Sequence, residues 1–157
     1  MGRRTTFRRA PDDFRRGTVV AEWPGSQPSA EEVAARARYF PNGEHKRSPA
    51  PNGEWSFAPK CDKAKCRQCA MEHWREVRDA FEAALRYSIR LALVDEEFRG
   101  GFPARAWARI NGNWHEARLT NKGTGEYHGF PLDYEEQMPR DPAERLKEVP
   151  NVTIAHY

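Results

Sequence analysis

The stretch RAWARINGNWHEARLTNKGTGEYHGFPL, residues 105–132, decides how this chain folds. Arg105–Ile110 alternates in character, Asn111 and Gly112 form the strongest short hairpin signal in the sequence, and residues 114–120 alternate again. Residues 121–125 are a glycine-bearing loop before a third extended run at 126–132. These residues predict a three-stranded antiparallel meander. A two-residue turn at Asn111 and Gly112 sets Arg109 opposite Trp114, Trp107 opposite Glu116 and Arg105 opposite Arg118. The second loop sets Arg118 opposite His128 and Glu116 opposite Phe130. Both turns agree on one pleat. One face carries Ala106, Ala108, Ile110, Ala117, Leu119 and Tyr127, an apolar surface fit to receive a helix. The other carries Arg105, Trp107, Arg109, Trp114, Glu116, Arg118, His128 and Phe130, an unusual mixture for a solvated surface.

The helix is expected just upstream. Residues 66–98 contain no proline or glycine and are rich in alanine, leucine, arginine and glutamate. Trp74, Val77, Phe81, Ala84, Ser88, Leu91 and Phe98 fall at helical steps, with Asp95 a polar break in the series, and Gly100 and Gly101 supply a stop. Earlier in the chain, residues 17–23 read as a short strand closed by Pro24 and Gly25. Ser29 with Glu32 is a capping box for a helix running to Pro41. Later, Asp141, Pro142 and Glu144 start a short helix ending near Val149, and residues 151–155 read as a last strand.

Between the first helix and the long one lies a cysteine cluster. Cys61, Cys66, Cys69 and His73 gather all three cysteines of the chain into thirteen residues. Steps of three and four residues project Cys66, Cys69 and His73 from one helical face, and Cys61 completes a Cys3His set suited to structural zinc. An iron-sulfur cluster is the competing cofactor, because Cys-x4-Cys-x2-Cys opens the plant-type ferredoxin pattern, but a fourth cysteine is missing. Three buried cysteines without metal are the plainer alternative. His45 is a possible replacement ligand. The expected fold class is therefore α+β: one long helix packed on a small antiparallel meander, with a Cys3His metal site at the helix N-terminus. Residues 1–16 form a flexible basic arm, and residues 17–157 a single zinc-stabilised domain.

Composition narrows the function. The chain has 157 residues, 31% charged and 38% hydrophobic, which favours one modest core. No apolar run reaches membrane-spanning length. Arg3 and Arg4 are followed by Asp12, Asp13, Arg15 and Arg16, not by an apolar stretch, so a cytoplasmic location is expected. The odd cysteine count favours coordination over disulfides.

The formal charge is only +3, yet Arg3, Arg4, Arg8, Arg9, Arg15 and Arg16 concentrate cations at one end. With Arg105, Trp107, Arg109 and Trp114 on the mixed sheet face, they fit a small accessory or regulatory protein that binds nucleic acid. An alternative is a metal-independent ribonuclease of toxin type, with Glu116 as base, Arg118 as transition-state cation and His128 as acid. Another is a phage or mobile-element protein that captures a host protein. The mixed face also admits a purely structural use, packing against the N-terminal strand with its charges at the rim. His115 and His156 are expected to be ordinary surface residues.

Overall fold

The structure, a computed structural model, describes residues 16–40, 74–132, 135–155 and 157. Helix α1 spans Ala30–Arg36, where Ser29 Oγ accepts from the Glu32 amide at 3.2 Å as the capping pattern requires. It stops at Ala37, short of Pro41, because the chain turns extended to form strand β1, Arg38–Tyr39. Helix α2 spans Trp74–Arg90. Two hairpin strands follow, β2 (Phe98–Arg99) and β3 (Phe102–Pro103), and then β4 (Arg105–Ile110), β5 (Asn113–Asn121), β6 (Glu126–Pro131) and β7 (Asn151–Val152).

These elements overturn the expected fold class. Among the described residues, two short α-helices accompany a five-stranded mixed sheet of order β1-β6-β5-β4-β7 and a separate β2-β3 hairpin, in place of one long helix on a three-stranded meander. The outer strands β1 and β7 pair in parallel with β6 and β4. Among the described residues, no group of three or more His, Cys, Asp or Glu side chains is placed to hold a metal. Cys61, Cys66, Cys69, His73 and His45 lie outside the described residues.

The helix ends early for a local reason. Ala92 adopts φ 55°, the left-handed conformation usually given to glycine. The Leu93 amide donates to Ser88 O and the Ala92 amide to Ile89 O, the paired bonds of a Schellman motif. Arg145 holds this end from outside: its guanidinium donates to Leu91 O at 2.6 Å, to Ala92 O and to Val20 O at 3.1 Å. Val94 and Asp95 then run extended, bridging Ala106 and Val19. Gly100 and Gly101, both at positive φ, turn the β2-β3 hairpin instead of ending a helix.

Within the sheet, the turn residues set the register as read from the sequence. Arg105 faces Arg118, Trp107 faces Glu116 and Arg109 faces Trp114, while Glu116 faces Phe130 and Arg118 faces His128. Asn111 and Gly112 take φ 49° and 82°, as the tight hairpin demands. The core lies between the apolar sheet face and the buried flank of α2. Val77, Phe81, Leu85 and Ile89 meet Tyr39, Ala106, Ile110 and Tyr127 there. Phe81 stacks on Tyr39 with centroids 5.2 Å apart and receives Tyr157 edge-on at 4.9 Å. Tyr127 is fully buried, donates to Pro103 O at 2.5 Å, and has its phenol pushed above the usual range by desolvation.

Candidate functional site: the mixed face of the sheet

The sheet face opposite α2 is partly covered by a strap, residues 16–20. The Val20 amide donates to Val94 O and the Glu96 amide to Thr18 O, so the strap runs antiparallel to residues 94–96. Its other edge exchanges bonds with Arg140, and Arg16 Nε donates to Met138 O at 2.8 Å. Gly17 passes directly over the indole of Trp107; a Cβ there would lie 2.6 Å from its ring. Trp107 is consequently 0% exposed. An indole this deep in the fold needs a hydrogen-bond acceptor, and Glu116 Oε1 provides it at 3.1 Å.

Glu116 and Asp95 are the two buried carboxylates of this face, each 2% exposed. Arg105 connects them. Its Nη1 lies 2.7 Å from Asp95 Oδ2, and its Nε lies 4.0 Å from Glu116 Oε2. Arg118 Nε donates to the same Glu116 oxygen at 2.7 Å. Asp95 Oδ1 also accepts from the Thr18 and Glu97 amides at 3.3 Å, tying the strap to the network. Two carboxylates and two guanidiniums thus neutralise one another in a region where an uncompensated charge is costly.

The outer end of the network remains accessible. The Arg118 side chain is 48% exposed, with Cζ 5.0 Å from the Phe130 centroid. Arg109 is exposed, while Trp114, His128 and Phe130 are half-buried. His128 and Phe130 are close neighbours, with centroids 6.2 Å apart.

The eight residues assigned to the mixed face thus divide in two. Arg105, Trp107 and Glu116 are in the interior beneath the strap; Arg109, Trp114, Arg118, His128 and Phe130 make the surface that solvent reaches. The structure brings Glu116 and Arg118 into contact and sets His128 opposite Arg118. Both Glu116 oxygens already hold donors, Trp107 and Arg118. Arg3, Arg4, Arg8 and Arg9 lie outside the described residues.

Three participants were not legible as such. Asp95 read as a flaw in a helical stripe, yet it anchors Arg105. Gly17 carries no side chain to mark it, though the strap needs its missing Cβ. His115 is not a surface residue: it is 4% exposed, with Nε2 3.0 Å from the Tyr157 hydroxyl and Nδ1 3.0 Å from Asn113 O.

No helix among the described residues is long and apolar enough to cross a membrane. Comparison of the chain with protein-family models, curated proteins and solved structures returns no match.

Proposed function

We propose that this chain is a small cytoplasmic accessory protein that binds nucleic acid. Contact is made through Arg109, Trp114, Arg118 and Phe130 on the accessible sheet face and through the N-terminal arginines Arg3, Arg4, Arg8 and Arg9. The observation that carries this proposal is the Glu116–Arg118–Phe130 arrangement. A buried carboxylate fixes one guanidinium nitrogen at 2.7 Å, and the cation is laid over an aromatic ring at 5.0 Å. A planar cation held in this way offers phosphate-directed hydrogen bonds and a stacking surface together, with little side-chain entropy left to lose.

The same geometry weighs against the ribonuclease alternative, because Glu116 would have to release both donors before accepting a substrate proton. The proposal includes structural zinc on Cys61, Cys66, Cys69 and His73, on their spacing alone. The test is affinity against salt. Binding should fall steeply as salt rises, and an affinity indifferent to salt rejects the proposal. A stoichiometric protein partner recovered from nuclease-treated lysate, with no nucleic-acid affinity, would favour the host-protein alternative.

A further inference from the structure

We infer that the chain associates with a second copy of itself through the solvent face of α2, as an antiparallel helix pair with its two-fold axis at Ala83. The inference is independent of the nucleic-acid proposal and goes beyond it.

The first ground is a stripe that the fold leaves uncovered. Among the described residues, the exposed large apolar side chains are Tyr87, 40% exposed, and Leu91, 37% exposed, one turn apart at the end of this helix. The core takes Val77, Phe81, Ala84, Leu85 and Ile89. Glu76, Asp79, Ala83, Tyr87 and Arg90 face solvent instead. At about 100° per residue those five fall within an arc of roughly 80°, opposite the core. Their spacing of three, four, four and three residues is symmetric about Ala83.

The second ground is that the residue types at those positions complement one another under a two-fold rotation. In an isologous pair every contact occurs twice, with residue i of one copy meeting j of the other and j meeting i. With Ala83 on the axis, an antiparallel pair sets Glu76 against Arg90 of the second copy and Asp79 against its Tyr87. Carboxylate thus meets guanidinium at both ends, and a phenol donates to a carboxylate on either side of the centre. The centre itself carries a methyl group, which lets the helix axes approach to about 8 Å. A parallel pair would oppose Glu76 to Glu76 and Arg90 to Arg90, so charge selects the antiparallel arrangement.

The neighbouring ion pairs are compatible with this contact. Arg78 is paired with Asp79 at 2.7 Å, and Arg86 is directed to Ala37 O at 3.1 Å and to Glu82 at 3.7 Å. Arg90 Nε lies 3.2 Å from Glu31, but those side chains are 43% and 77% exposed, and the guanidinium has further N–H donors for a second carboxylate. The 17 residues of α2 give a contact about 25 Å long, which belongs with small, reversible interfaces.

The test is sedimentation velocity of the full-length, nuclease-treated protein from micromolar to millimolar concentration, where a monomer–dimer equilibrium should appear. Glu76→Arg and Arg90→Glu each oppose like charges twice across the axis and should each weaken the dimer about tenfold or more. Mixed in equal amounts, these two variants should dimerise with one another about as well as wild type does, because each mixed pair restores both contacts. Ala83→Arg puts a bulky cation on the axis from both copies and should abolish the dimer; it repeats the test should a charge reversal unfold the protein. A chain that stays monomeric throughout the range leaves the stripe to some other protein and overturns the inference. So do charge reversals that dimerise like wild type, a mixture that fails to associate, or a dimer that survives Ala83→Arg. None of these outcomes bears on nucleic-acid binding.

Discussion

Replacing Asp95 by alanine should destabilise the protein by about 3 kcal/mol. The value follows from what the carboxylate does. Its side chain is 3% exposed and lies 2.7 Å from Arg105, whose own side chain is 12% exposed. Removing one partner of a buried ion pair strands the other and costs about 3–5 kcal/mol. The lower end applies here, since Arg105 keeps Glu97 at 3.9 Å and Glu116 at 4.0 Å as weaker neighbours. The Thr18 and Glu97 amides lose an acceptor too, but both bonds are long at 3.3 Å and so add little. For a chain of this size, 3 kcal/mol lowers Tm by roughly 6–12 °C. The assay is urea denaturation followed by tryptophan fluorescence, paired with Arg105→Met and the double variant. The cycle should show strong coupling, with the double variant closer to wild type than Asp95→Ala alone. A single-variant loss below about 1 kcal/mol would refute the reasoning, because that is the range of a solvated surface pair.

Further outcomes follow from other positions. Gly17→Ala places a methyl group 2.6 Å from the Trp107 ring and should cost about 1–3 kcal/mol with a change in tryptophan emission. Unchanged stability would mean that the strap yields freely. Ala92→Gly relieves a left-handed alanine at φ 55° and should raise stability by roughly 0.5–1 kcal/mol, measured as the denaturant midpoint at constant m. Tyr127, its phenol raised by burial, keeps its proton in the folded state when the unfolded chain loses it. The stability it confers is fully present below about pH 10 and lost above it, by about 1.4 kcal/mol per pH unit. Tyr127→Phe should reduce that alkaline loss. Native mass spectrometry should find the chain heavier by a single zinc ion, removable by chelator; a metal-free spectrum of protein purified without chelator would end the zinc proposal.

The parts of the fold that sequence made legible are those in which adjacent residues carry the cause. Asn111 and Gly112 favour the tight turn that sets β4 against β5, and the glycine-bearing loop at 121–125 sets β5 against β6, so the register of three strands follows without tertiary information. Ser29 and Glu32 likewise cap a helix within a few residues of themselves. What could not be read depends on distant partners. Ala92 ends α2 with no glycine to announce it, and Arg145, which binds the exposed carbonyls there, lies 53 residues away from that alanine. Alternation placed Trp107 and Glu116 correctly on one face of the sheet. Alternation distinguishes two faces and not which of them meets solvent; the structural alternative, packing against the N-terminal strand, is what the structure shows over Trp107 and Glu116, where residues 16–20 lie. The accessible portion of the candidate site is therefore its outer half, Arg109, Trp114, Arg118, His128 and Phe130.

The strap has a consequence for how the chain acquires its shape. Arg16 meets Met138 across 122 positions, and Arg145 reaches Val20 across 125. Closing loops of that length costs about 4 kcal/mol of chain entropy before any bond compensates. Contacts so remote in sequence slow folding, and here they must wait until residue 145 has left the ribosome. Trp107 should therefore be among the last side chains to lose water, with its fluorescence reporting the final step of folding after the sheet beneath it has formed.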